Sequence, residues 1–275
     1  MSIPWQGMAI RPVKRHAASM TAELPPFATR LRQWRRLRHL SQLSLANAAG
    51  TTSRHLSFLE TGRSRPSKDM VHRLAEALVV PLRARNELLT AAGFAAGFAE
   101  TPLDAPDLEP FRSAISRLLA QHEPFPAFVL DRHWNIVAAN PPAAALFTDD
   151  ERNVVRLMYG GAWQPLVENW EPVAWVGVQR LEDDLHRHPG DPELMALVDL
   201  ASKAVRGFEQ APDVGSDLVI CPHFRFGDTV VRTVSVVAQF GSARDVTLDE
   251  LRVELVFPAD AEAESFFRSA AASSA

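Results

Sequence analysis

Gly50, Gly62, Pro81 and Gly93 divide a stretch in which apolar residues recur at helical spacing. That part of the chain must therefore fold as several short helices and not as one long one. Phe27, Leu31, Trp34 and Leu37 follow Pro25-Pro26 as the first helix, and Leu45, Ala46 and Ala49 mark a second that Gly50 stops. A third is expected from Ser53 to Glu60 with Leu56 and Leu59 inward, a fourth over Met70, Val71, Leu74, Ala77 and Leu78, and a fifth over Leu82–Ala92. Together they give a compact all-α domain over residues 25–98. Residues 1–24 lack periodicity and read as a flexible arm.

Charge separates this region from the rest. The first hundred residues carry 15 basic and 6 acidic groups, whereas the remaining 175 carry 14 and 27, although the whole chain has a net charge of only −4. A basic front half meets a polyanion; an acidic back half does not. The segment LSQLSLANAAGTTSRHLSFLETGRSRPS, Leu40 to Ser67, sets two short helices around the Gly50-Thr51 turn, with Ala46 and Ala49 small enough for a close crossing. Thr52 is placed to cap the second of these helices, and Ser53, Arg54 and Ser57 project from its start. An arginine there can bind guanine O6 and N7 bidentately in the major groove.

This segment resembles the lambda-repressor/Cro-like, or XRE, helix-turn-helix family. Leu40-Ser41-Gln42, Leu45-Ala46, Ala49-Gly50, Leu56-Ser57, Leu59-Glu60, Gly62 and Arg65-Pro66-Ser67 carry the match, which spans Phe27–Phe94. The resemblance implies double-stranded DNA as partner, with Gln42 on the backbone and Thr52, Ser53, Arg54 and Ser57 at recognition positions. Arg63 and Lys68 complete the expected DNA-binding set. It also implies an internal ion pair between Arg35 and Glu60. Phe58 departs from the family, which often has a polar residue there. Arg30, Arg32, Arg36 and Arg38 read equally well as DNA contacts or as a solvated helix face.

Pro102, Pro106 and Pro110 mark residues 99–110 as a linker. After a helix at Phe111–His122 the pattern changes. Phe128–Leu130 and Asn135–Ala139 flank the turn Asp131-Arg132-His133 as a hairpin, and Asn140-Pro141 signals a capped helix. Helices are expected at Glu151–Tyr159, Pro165–Val178 and Pro192–Phe208, then strands at Asp217–Phe226, Thr229–Phe240 and Leu248–Phe257. In the last strand the alternation of Leu251, Val253, Leu255 and Phe257 with Arg252, Glu254 and Val256 predicts one buried and one open face. The result is an α+β domain of PAS type over 111–268, with a five-stranded antiparallel sheet and a disordered tail at 269–275. Such a sheet with helices across one face can enclose an apolar small-molecule cavity; Phe128, Val137, Leu146, Leu157, Met158, Trp170, Val236 and Phe240 are the candidate walls.

Pro124–Asn140, Asn153–Tyr159, Asn169–Ala174 and the return Gly227–Asp260 resemble the MmyB-like ligand-binding domain that commonly follows an XRE helix-turn-helix in bacterial regulators. That resemblance implies a PAS-like fold and a fatty-acid-like ligand. A carboxylate in an apolar site needs a cation or several N–H donors. Arg156 is the first candidate and Asn140 the second, with Phe128 and Trp170 completing the expected ligand-binding set. Ser202–Asp217 departs from the commoner family form.

Catalysis finds little support. His186, His188, Asp191, Cys221 and His223 can be imagined as metal ligands, but CxxC, HxxxH, HExxH, GxSxG and GxxxxGK are all missing from the sequence. One cysteine cannot form an internal disulfide, and no apolar run is long enough for a membrane helix. The expectation is a cytoplasmic, non-enzymatic, homodimeric DNA-binding regulator with no metal or cofactor beyond a bound lipid-like ligand. The competing reading is an antitoxin-like protein-interaction module built on the same helices.

Overall fold

A computed structural model of the protein describes residues 27–147, 150–208 and 219–273. The expected arm at 1–24 and most of the divergent 202–217 segment lie outside these residues.

The helical unit runs α1 (Phe27–Leu37), α2 (Gln42–Ala48), α3 (Ser53–Glu60), α4 (Lys68–Ala77) and α5 (Leu82–Ala91). Three side-chain caps set the starts: Ser41, Thr52 and Ser67 accept from the backbone N–H of Ser44, His55 and Met70. Gly50, at φ 61°, ends α2 in the left-handed region, and Thr51 N then donates to Ala46 O. Leu31, Leu45, Leu56, Leu59 and Leu74 are fully buried around Trp34. Arginines of α1 tie the unit together. Arg32 donates to the Glu60 carbonyl, Arg38 to the carbonyls of Leu78 and Val79, and Arg30 pairs with Glu87. Of the four basic residues in question, Arg36 alone is exposed without a described partner.

Val79 ends α4 at φ 49° with 73% of its surface exposed. A β-branched residue in the left-handed region is strained. Val79→Asn is therefore expected to raise the stability of this unit by about 1 kcal/mol, measured by denaturant unfolding; an unchanged midpoint would remove the strain argument.

This unit also takes in residues 242–249. The Asp245 carboxylate accepts from Thr101 N and Thr101 Oγ1, and Val246 N donates to Ala99 O. Asp245 also caps a short helix, α11 (Val246–Glu250), through Thr247 N and Leu248 N. That cap is why the expected strand start at Leu248 is helical.

The second unit comprises residues 102–241 and 250–273 of those described. Its elements are α6 (Glu109–Gln121), β1 (Ala127–Leu130), β2 (Ile136–Ala139), α7 (Pro141–Ala144), α8 (Val154–Tyr159), α9 (Trp170–Arg187), α10 (Pro192–Val205), β3 (His223–Phe226), β4 (Thr229–Ala238), β5 (Arg252–Pro258) and α12 (Ala261–Ser273). The strands form one antiparallel sheet in the order β2-β1-β5-β4-β3. Helices α8, α9 and α10 bury Val155, Leu157, Val173, Leu181, Leu194 and Leu197 in a core shared with Phe128, Leu130 and Val256 of the sheet.

Other local expectations change: the helix expected at Pro165–Val178 runs as α9 from Trp170 to Arg187, and the strand expected at Asp217–Phe226 is β3 at His223–Phe226. The segment read as a disordered tail from 269 is helical to Ser273, as α12 continues through an alanine-rich end of high helix propensity. It is anchored by Ala263 and Phe267 against Val231. The one-face reading of the last strand also fails. β5 is central, between β1 and β4, and Leu251, Arg252, Val253, Glu254 and Val256 are all buried. Val253 and Leu251 meet Ile115 and Leu118 of α6 around a small groove, so both faces of the strand are covered.

Candidate functional site

The helical unit presents α3. Leu56, Leu59 and Glu60 face inward; Ser53 and Arg54 are exposed and Ser57 is half-buried. The Arg54 guanidinium lies 5.5 Å from the centre of the Phe58 ring. The family departure at Phe58 thus has a physical consequence: the ring gives the Arg54 guanidinium an aromatic face to lie over. Thr52 acts as cap, and Arg63 and Lys68 are exposed beyond the helix.

Gln42 and Glu60 hold the junction behind this surface. Arg35 Nε and Nη2 donate to the two Glu60 oxygens at 2.6 and 3.0 Å, and Gln42 Nε2 donates to Oε2 at 2.8 Å. Burial alone would raise the Glu60 pKa, but hydrogen bonds from Arg35 and Gln42 and the charges of Arg35 and Arg32 outweigh it and hold it below the usual value. The Arg35–Glu60 pair is present as the resemblance implies. One N–H of the Gln42 amide is engaged with Glu60, leaving the second N–H and the carbonyl oxygen for anything else.

In the second unit a cavity, partly open to solvent, lies among β1, β5, the middle of β4, α8 and α9. Phe128, Leu130, Leu146, Val155, Met158, Trp163, Val173, Ile220, Phe224 and Val256 give it an apolar wall. Gly177 is required there. A Cβ at that position would lie 2.2 Å from Tyr159 Oη, which donates to Ala174 O at 2.8 Å. Burial pushes the Tyr159 hydroxyl above its ordinary pKa despite the opposing charge of Arg180, so it lines the cavity as a neutral group.

Among the described residues, two charged side chains line this space, and they pair. Arg180 Nη2 donates to Glu254 Oε1 at 2.7 Å; Glu254 is buried and Arg180 is 43% exposed. Beside them Trp134, buried and at φ 64°, donates its indole N–H to Asp184 Oδ2 at 2.9 Å. Arg252 Nη1 donates to the same oxygen at 2.6 Å, and both guanidinium groups lie over the Trp134 ring, at 4.9 Å for Arg180 and 4.6 Å for Arg252. A bulky residue held in the left-handed region is strain maintained by its surroundings, and such residues gather at sites.

Of the four expected ligand residues, Phe128 lines the cavity. Trp170 is half-buried against the core but outside the lining, and Arg156 is exposed on α8. Asn140 is buried with all its hydrogen-bonding capacity used. Oδ1 accepts from Ala127 N and Ala143 N, and Nδ2 donates to Leu119 O and Phe125 O. Leu146 and Met158 are wall residues as expected; Val137, Leu157, Val236 and Phe240 are not. The charged pair was missed because strict alternation along β5 assigns Arg252 and Glu254 to solvent. Two charges within an otherwise apolar strand are the signal that could have found them.

The imagined metal set does not assemble: among the described residues no three His, Cys, Asp or Glu side chains are placed to hold an ion. Asp191 instead caps α10 and pairs with His133 and Arg132; burial opposes its ionisation, but these partners and Leu194 N hold its pKa well below the usual range. Cys221 is buried, with Sγ accepting from Ser235 N. No described helix is long and apolar enough to cross a membrane.

Residues 111–270, more than half of the chain, match the family model described as MmyB-like transcription regulator ligand binding domain. Residues 31–84 match the helix-turn-helix model. No curated protein matches the chain.

Proposed function

The chain belongs to the MmyB-like transcription regulator ligand-binding domain family, joined here to a DNA-binding helix-turn-helix, and on that premise we propose that it is a sequence-specific regulator whose second unit senses a small, mostly apolar molecule. The observation that carries the reading is the cavity, walled by apolar side chains and edged by the Arg180–Glu254 ion pair, in the same chain as an exposed Arg54. The protein acts as a homodimer in the cytoplasm on two operator half-sites, since paired half-sites multiply affinity and specificity. Ligand changes DNA affinity only if it binds the DNA-competent arrangement with a different affinity.

Operator selection followed by titration tests the DNA half. Arg54→Ala is expected to relax preference at one base position, costing about 1–3 kcal/mol of discrimination. Gln42→Ala weakens binding to all sequences alike. Affinity should fall steeply with salt, as counterion release requires. Equal affinity for every sequence would sink the regulator reading, and salt-insensitive capture of a protein would favour an interaction module.

A further inference from the structure

The polar edge of the cavity constrains the ligand's head group. This step rests on the ligand-sensing reading above and deepens it. Arg180 and Glu254 are the charged lining residues among those described, and their charges cancel. The neighbouring pair Arg252–Asp184 cancels as well. The four groups therefore sum to zero before any ligand arrives.

A free carboxylate entering this edge has two options. Sharing Arg180 with Glu254 would bring two like charges together beside an apolar wall, which disfavours ionisation of both. Displacing Glu254 would leave a 6%-exposed carboxylate without its cation, the costly outcome of breaking a buried ion pair. An uncharged acceptor meets neither penalty. It can take a guanidinium N–H without adding charge, and donor capacity is present on Arg180, which lines the cavity and whose bond to Glu254 is made by Nη2. The hydroxyls of Tyr159 and Thr233 donate to Ala174 O and Pro222 O and so meet a ligand as neutral acceptors, while the Ser235 hydroxyl can donate or accept. Arg156, the cation that would serve a fatty acid from the sequence, is exposed outside the lining.

We propose that this cavity selects an uncharged amphiphile, an apolar chain ending in an ester, amide or alcohol, and discriminates against the corresponding free acid.

Calorimetric titration of the full-length protein with dodecanoic acid, dodecanol and methyl dodecanoate near neutral pH tests this. The alcohol and ester are expected to bind on the order of tenfold tighter than the ionised acid. Glu254→Gln keeps the shape and a hydrogen-bond acceptor for Arg180 while removing the competing charge. It should raise the affinity for the acid by about tenfold and change that for the ester little. Val176→Trp, which fills the cavity wall from α9, should weaken all three and so places the binding in this cavity. Acid bound as well as or better than its neutral congeners overturns the proposal and leaves the ligand-sensing reading intact, as does a Glu254→Gln protein with no gain for the acid. Failure of all three compounds to bind overturns both.

Discussion

Replacing Glu60 by alanine is expected to destabilise the helix-turn-helix unit by about 3–5 kcal/mol, the range for removing one partner of a buried ion pair. Glu60 joins α1 through Arg35, α2 through Gln42 and the end of α3 through its own backbone, so three helices lose a common point of attachment. The loss goes beyond the pair itself, since Arg35 and Gln42 are left without their carboxylate at the junction that orients α3. Glu60→Gln, which keeps the shape, should cost less. Amide exchange under mild denaturant would read α3 and β5 separately, and protection should fall in α3 alone. A change in α3 of less than about 1 kcal/mol would show that the pair is worth no more than a surface salt bridge.

The same carboxylate makes this unit sensitive to acid. The folded-state pKa of Glu60 lies below its ordinary value, so its stabilisation is fully present above about pH 4.3 and is lost as the pH falls through the lowered folded value. Acid unfolding of the wild-type helical unit should therefore be steeper in this window than that of Glu60→Gln. Equal slopes would remove Glu60 as the cause.

Asn140→Ala is expected to destabilise the second unit by about 3 kcal/mol or more, because buried N–H and C=O groups left unpaired cost about 1–3 kcal/mol each. The amide ties the end of α6, the strand entering the sheet at Ala127 and the first turn of α7. Asn140→Asp keeps both accepted hydrogen bonds but sets a carboxylate against the carbonyls of Leu119 and Phe125, so it should rescue little. Loss of protection in β1 and α6 with α3 unaffected would bear this out. A melting temperature unchanged in both variants would mean that the neighbouring backbone finds other partners.

Asn140 and Phe58 mark different degrees of legibility in the sequence. Asn140 before Pro141 announces a helix cap by local chemistry alone, and the cap is there. Its two donor bonds to residues 119 and 125 are not local, and they are what removes it from the list of ligand contacts. Phe58 was legible only as a departure from its family; the stacking of Arg54 on it needs the helix surface in three dimensions.

Helix periods, glycine stops, side-chain caps and the hairpin turn depend on residues within a few positions of one another, and for that reason the sequence by itself determined the five N-terminal helices, the outward face of α3 and the α+β class of the second unit. The cavity's polar edge was decided by tertiary structure alone. Arg180 meets Glu254 and Asp184 meets Arg252 across separations of 74 and 68 residues, and β5 buries both faces because helices and strands distant in sequence cover it. Charges on such a strand look solvated until the fold supplies partners that make their burial possible.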